Sequence, residues 1–231
     1  MKKLKNLIIF HPYSGMGGAD RSLARLINNL DEKKYKIHFI SISKPLIKGF
    51  IKKKIFYYRV KSKRTILSIF EVRNIVNKIL DKKNKNIFIS NQNFANIVSF
   101  FILFKLKRIK HILIERNSLN ELDNSYNFLD YLKKKTIKFL VRTTYKYSDI
   151  VICISNDLRK EIKNFTKSKT FTIYNPSLDQ SIYKTKSYKE KIKIPKNLIL
   201  NIARLEKQKD QYTLIKAFKK LNNKKNFKLF I

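Results

Sequence analysis

Two segments of the 231-residue chain combine residue types that handle anions. The first is His11-Pro12-Tyr13-Ser14-Gly15-Met16-Gly17-Gly18-Ala19-Asp20-Arg21, which holds three of the chain's four glycines. Glycine lets backbone N–H groups approach a phosphate closely, and a helix that starts there adds positive dipole. The spacing is not the dinucleotide fingerprint G-x-G-x-x-G, because its last position lacks glycine and no acidic residue ends the second strand. A phosphate cradle and a tight turn without a ligand both explain these residues. The second segment is Asn201-Ile202-Ala203-Arg204-Leu205-Glu206-Lys207-Gln208-Lys209-Asp210. Arg204 can grip a diphosphate with two parallel hydrogen bonds, and Lys209 adds a compact charge. The rival reading is two more cations in a chain full of them.

The histidines give no metal site. His11, His38 and His111 lie at no ligand spacing from one another, and no acidic D-x-D cluster is present, so neither metal nor cofactor is expected. His11 heads the glycine loop and is a site candidate; His38 and His111 sit in or beside strands and read as structural. Cys153 is the single cysteine, so no disulfide can form within the chain, which fits a reducing cytoplasm. Its apolar neighbours, Ile150 to Ile154, suit a small buried hydrophobe on a strand.

These residues need a frame to position them. Short apolar runs, Leu7–Phe10, Ile37–Ile42, Lys54–Val60, Asn86–Ser90, His111–Glu115, Asp149–Ile154 and Thr170–Tyr174, read as strands. Helical periodicity separates them. Leu23, Leu26, Ile27 and Leu30 recur on one face, and Ile66, Ile69, Phe70, Val76 and Ile79 on another. Further helices are predicted over 94–107, 127–146 and 156–165. Continuous apolar strands alternating with helices predict a doubly wound parallel α/β sheet, a Rossmann-like domain over 1–176. Such sheets bind ligands beyond the carboxyl ends of their strands, which singles out loops 11–19, 91–93, 115–118, 155–156 and 174–176.

Beyond Pro176 the pattern changes. Residues 177–196 are poor in apolar types and rich in lysine, and read as a linker. Residues 197–231 open a second Rossmann-like domain with one strand–helix–strand unit. One such unit cannot bury its own faces, so this second domain is expected to be incomplete.

Composition bounds the partners. Lys and Arg number 53 against 16 Asp and Glu, a formal net charge of +37. An anionic partner is one reading; the other is a general enrichment in Lys with solvated lysines on every helix face. Two basic stretches interleave with apolar residues and suit an anionic membrane surface: Lys44 to Arg64, and Lys105 to Lys110 after the apolar run Ile97–Phe104. No run reaches the ~18–20 apolar residues of a spanning helix. A basic α/β protein that binds nucleic acid is the competing class, but no nucleic-acid motif is present and no nucleic acid is expected as a partner.

Four tracts in order resemble family 4 glycosyltransferases. Gly17-Gly18-Ala19-Asp20-Arg21-Ser22-Leu23 is similar to the family's G-G-A-E-R-x-L opening. Ser148 to Asn156 resembles A-D-x-V-I-x-V-S, and Tyr174-Asn175-Pro176-Ser177-Leu178-Asp179 resembles Y-N-P-x-D. Ile199–Phe218 resembles the second-domain opening, apolar-G-R-L-x-x-x-K-D-x-x-x-L-I-x-A-F. Ala203 stands where the family has glycine, and Asp20 where it has glutamate.

The resemblance implies a GT-B fold with two Rossmann-like domains and a nucleotide-sugar co-substrate bound between them. It implies transfer, with retention, to a glycan or lipid-linked acceptor in envelope or capsule polysaccharide assembly on the cytoplasmic side. Gly17, Gly18, Arg204 and Lys209 are then the diphosphate-binding candidates. His11, Arg116, Asn117, Ser155 and Asn175 become candidates for contact with donor or acceptor. Glu115-Arg116-Asn117-Ser118 is similar to the family's E-R-N tract; for Arg116 a structural ion pair remains the rival role. The family's paired glutamates, E-x7-E, have no counterpart in these 231 residues, so little turnover is expected of them alone.

Overall fold

A computed structural model describes residues 4–15, 17–83, 86–123, 125–176, 196–206, 209–222 and 227–231. The chain divides into two compact units, Met1–Asp179 and Gln180–Ile231. The expected linker, 177–196, lies outside the described residues apart from Lys196.

The first unit is a seven-stranded sheet in the order β3-β2-β1-β4-β5-β6-β7, with every pair parallel. Its strands are β1 (Lys5–Phe10), β2 (Tyr35–Ser41), β3 (Phe56–Arg59), β4 (Asn86–Asn91), β5 (Ile109–Glu115), β6 (Ile150–Cys153) and β7 (Thr170–Thr172). Its helices are α1 (Gly18–Asn28), α2 (Ile69–Ile79), α3 (Asn93–Leu103), α4 (Phe128–Thr144) and α5 (Asn156–Thr166). The doubly wound Rossmann-like reading is therefore what the chain adopts.

The central strands are apolar on both faces over most of their length because both faces are covered. Alternate side chains of β1 go to opposite layers. Ile8 and Phe10 join Val72, Val76, Val98 and Ile102 of α2 and α3. Leu7 and Ile9 join Leu23 and Ile27 of α1. A third cluster packs α4 and α5 on β5 and β6, through Val141, Tyr145, Leu158 and Ile162 against Leu113 and Val151. Truncating a fully buried member such as Ile8 to alanine would cost roughly 2–5 kcal/mol. Cys153 is part of this third cluster and fully buried, as expected for a strand hydrophobe.

The helix before β4 needs a correction. Ile66 and Phe70, counted on its apolar face, are 55% and 80% exposed. A short 3-10 turn over Ile66–Ser68 rotates the start of the helix, and the face that packs on the core carries Val72 and Val76. The helix after β4 stops at Leu103 rather than 107, where Lys105 takes a positive φ of 61°.

The second unit contains β8 (Leu198–Leu200), α6 (Gln211–Asn222) and β9 (Lys228–Phe230), with the two strands parallel. Leu200 and Phe230 remain about half exposed, as expected of a two-stranded piece of sheet.

Candidate functional site

The strand order reverses between β1 and β4, the place where open α/β sheets form a crevice. His11 directly follows β1 there, and Asn91 ends β4. His11 is fixed at its backbone, donating to the Ile40 carbonyl at 3.0 Å. Both ring nitrogens are also engaged: Nδ1 lies 3.0 Å from Asn91 Nδ2, and Nε2 lies 2.7 Å from Asp20 Oδ1.

The hydrogen directions follow from Arg116. Its Nε can only donate, and it does so to Asn91 Oδ1 at 2.7 Å. The Asn91 amide nitrogen must then face His11 and donate to Nδ1. The His11 proton is left on Nε2, from which it donates to the Asp20 carboxylate. Asp20 Oδ2 in turn accepts from the N–H groups of Gly15 and Gly17, at 3.1 and 3.0 Å. Burial alone would raise the Asp20 pKa. Hydrogen bonds from His11, Gly17 and Ser14 outweigh it and hold the carboxyl below its ordinary range.

Arg116, half-buried at the end of β5, is held from two sides. Nη1 donates to Asn175 Oδ1 at 2.6 Å, and Ser22 of α1 donates to the same oxygen at 2.9 Å. Burial pulls the guanidinium pKa below its usual value, opposed by the charges of Asp20 and Glu115. Among the described residues no carboxylate forms an ion pair with it. Among the described residues its side-chain partners are two amides, not the carboxylate that a structural ion pair, the rival role in the sequence, would need. An arginine has five N–H donors, and two are spoken for here.

Glu115 anchors this loop from below. It is fully buried and accepts from the backbone N–H groups of Arg116 and Asn117, at 2.9 and 3.1 Å, and from the Tyr145 hydroxyl. Burial raises its pKa, against the pull of those donors and of Asn96. Gln92, one residue beyond Asn91, carries φ 98° at the start of α3. Such a conformation costs a non-glycine residue on the order of 1–3 kcal/mol, and strain of this kind gathers at sites that must be held in place.

Two of the cavities at this end of the sheet adjoin these loops. One, of about 540 Å3, is lined by Arg116, Ser118, Asn120, Ser155, Asp157 and Glu161, among others. Ser155 caps α5 there, accepting from the Leu158 N–H at 3.2 Å. The other, of about 590 Å3, gathers Tyr13, Ser43, Arg59, Lys61 and Lys63 beside β2 and β3. Glu71 braces its rim by accepting from the Lys61 and Ser62 N–H groups at 2.8 and 3.3 Å.

The structure thus unites His11, Arg116, Asn175 and the glycine loop in one network, with Ser155 sharing a cavity with Arg116. His11 is completely buried and serves inside the network. The Gly17 N–H is likewise spent on Asp20, while Gly18 opens α1. Asn117 turns instead to Glu121, at 3.2 Å. In the second unit, Arg204 is exposed and pairs with Glu206 at 2.8 Å, and the Lys209 N–H donates to the Glu206 carbonyl at 2.8 Å. Asn91 was missed from the sequence, although loop 91–93 was singled out. Its available signal was a polar residue closing an apolar strand at the reversal point.

Known proteins resemble this chain in sequence and in shape. The description Glycosyltransferase Family 4 matches residues 16–176. An uncharacterized glycosyltransferase of Methanocaldococcus jannaschii is 31% identical over 219 residues, 87% of this chain and 53% of its own length. A glycosyltransferase from Rickettsia africae superposes with a TM-score of 0.61 at 16% identity, covering 98% of this chain and 59% of that one. The Anabaena protein HepE, solved with UDP and glucose, gives 0.58 at 14% identity over 93% of this chain and 57% of its own. Likeness at such identities speaks for the fold, the GT-B type expected from the sequence. The chain spans about half the length of the curated relative it matches. With the matched description covering most of these 231 residues, the chain belongs to glycosyltransferase family 4.

Proposed function

We propose that this chain forms the acceptor-side domain and the opening of the donor-side domain of a hexosyltransferase, which moves a sugar from a nucleotide-sugar to a glycan or lipid-linked acceptor with retention. The observation that carries the reading is Arg116, clamped by Asn91 and Asn175 at the carboxyl end of the sheet and lining a 540 Å3 cavity with Ser155. A guanidinium fixed in advance can bind a substrate oxygen without reorganising when charge develops on it. UDP-sugars are the first donors to try, because HepE, of similar fold, was solved with UDP and glucose.

Arg204 and Lys209 are the groups proposed for the donor diphosphate, and the start of α1 at Gly18, in the first unit, is a separate candidate for an anionic group. Departure of a nucleoside diphosphate builds charge that cations and a helix N-terminus offset. Envelope or capsule polysaccharide assembly on the cytoplasmic face of a membrane is the setting this chemistry suits. The expectation of little turnover by the 231 residues alone is part of the proposal, since the glutamate pair of the resembled pattern has no counterpart in them. Nucleoside diphosphate release from a panel of nucleotide sugars, measured with the purified chain and lipid or glycan acceptors, tests it. Background release is expected; rapid release by the chain alone would contradict the assigned division of labour.

A further inference from the structure

Helix α4 is unusual in what it leaves uncovered. Phe128, Leu129 and Phe139 are 71%, 76% and 65% exposed, and Tyr126 just before the helix is 79% exposed. Leu132 and Tyr131 are also exposed, at 43% and 47%. Phe128, Leu132 and Phe139 recur at i, i+4 and i+11, which places them on one stripe along the outer side. The opposite side holds Val141 and Thr144, which are buried against the sheet. Burial in the core therefore does not account for the outer stripe, and contiguous apolar surface of this kind marks a contact site.

The charges select the partner. Lys135 and Arg142 are exposed beside the stripe and pair with no carboxylate among the described residues, and Lys135 lies over the Tyr131 ring, 5.7 Å from its centroid. The helix has a single acidic residue, Asp130, and it is occupied by Lys134 at 2.7 Å. Of the other carboxylates beside the helix among the described residues, Asp123 is occupied by Lys138 and Glu121 accepts from Asn117. Among the described residues the outward stripe thus offers aromatic and aliphatic groups flanked by cations, with the carboxylates beside it already engaged. A water–lipid boundary with anionic headgroups matches it: rings and leucines enter the acyl edge while lysine stems reach the headgroups.

We infer that α4 is the surface by which this protein lies on an anionic lipid bilayer, with Phe128, Leu132 and Phe139 inserted at the boundary. This differs from the basic stretch Lys44–Arg64, whose aromatic Tyr57 is half-buried under Lys48 and whose Phe56 stacks on His38. It is independent of the transfer reading, because vesicle binding needs no nucleotide sugar.

The chain has no tryptophan, so one can be introduced as a local reporter. Phe139→Trp and, on the other basic surface, Phe56→Trp would be mixed with phosphatidylcholine vesicles containing or lacking phosphatidylglycerol. The expected result is a blue shift of the residue 139 reporter, and quenching by brominated lipid, with the anionic vesicles only; the residue 56 reporter stays unshifted. In co-sedimentation, Phe128→Ser/Phe139→Ser should bind these vesicles at least tenfold more weakly at unchanged net charge and unchanged circular dichroism. Equal shifts at both positions, or full binding by the double variant, would show attraction by overall charge and overturn the inference. So would a blue shift at 139 that appears without lipid and tracks self-association or capture of a protein partner.

Discussion

Arg116 and His11 bind opposite atoms of one side-chain amide: Arg116 Nε donates to Asn91 Oδ1 at 2.7 Å, and Asn91 Nδ2 donates to His11 Nδ1 at 3.0 Å. The amide transmits a fixed direction. Arginine sets the orientation of Asn91, Asn91 sets the tautomer of His11, and His11 delivers its proton to Asp20, which holds the glycine loop. Four loops at the carboxyl end of the sheet are tied into one piece by side chains that no helix or strand requires.

Removing the amide should therefore loosen several loops together. Asn91→Ala leaves a buried His11 nitrogen without its donor, which costs about 1–3 kcal/mol before any cavity effect. Urea unfolding of wild-type and variant checks this. Stability within about 0.5 kcal/mol of wild-type would mean that water or a shifted loop replaces the amide.

Arg116→Lys keeps the charge and loses the fork. A lysine ammonium cannot reproduce the planar geometry that joins Asn91 to Asn175. The expected outcome is at least about a tenfold loss of acceptor or sugar-nucleotide affinity, measured by titration calorimetry, since a lost bidentate contact is worth about 1.4 kcal/mol or more. Wild-type affinity in this variant would remove Arg116 from the binding site.

His111 gives the protein an acid sensitivity. Burial lowers its pKa to about 4 from 6.5, with Asp149 pulling the other way, and Ser99 lies 2.7 Å from Nε2. The folded value is below the unfolded one, so the unfolded chain takes up the extra proton between them. Stability is then complete above about pH 6.5 and falls as the pH drops toward about 4, by an amount on the order of 3 kcal/mol. Urea midpoints across that range, compared with His111→Gln, isolate the effect. A variant with the same pH slope as wild-type would show that other groups carry it.

Ser155 has two tasks that can be separated. As the cap of α5 it should contribute about 1 kcal/mol, lost in Ser155→Ala and retained in Ser155→Asp. As a lining residue of the Arg116 cavity it should affect ligand affinity in both variants. Affinity that follows stability alone would leave it a cap and nothing more.

The fold was legible because its signal is local. Leu7–Phe10 is apolar without interruption and Ile37–Ile42 is broken only by His38 and Ser41, the pattern of a sheet covered on both faces, and the glycine loop marks the first strand-to-helix turn. The apolar side of α2 was misjudged because periodicity cannot show that a 3-10 turn at Ile66–Ser68 shifts the phase before the helix begins. At the site, the loops were legible and the partners were not. Arg116 and Asn175 stand 59 positions apart, and Arg116 and Asn91 stand 25 apart. Hydrogen bonds between such positions depend on strand order, which a single sequence does not display. For the same reason His11 looked free to meet a ligand, although both its nitrogens are used within the protein.

The central proposal is that this chain binds a sugar nucleotide and that its charge is not a nucleic-acid footprint. Titrating the purified protein with UDP-sugars, other nucleotide sugars and a mixed-sequence oligonucleotide, at low and high salt, tests it most directly. The account predicts saturable binding of at least one nucleotide sugar that persists at high salt and weakens roughly tenfold on Arg204→Ala or Lys209→Ala. Tight oligonucleotide binding with a steep salt dependence, and no binding of any nucleotide sugar, would contradict it.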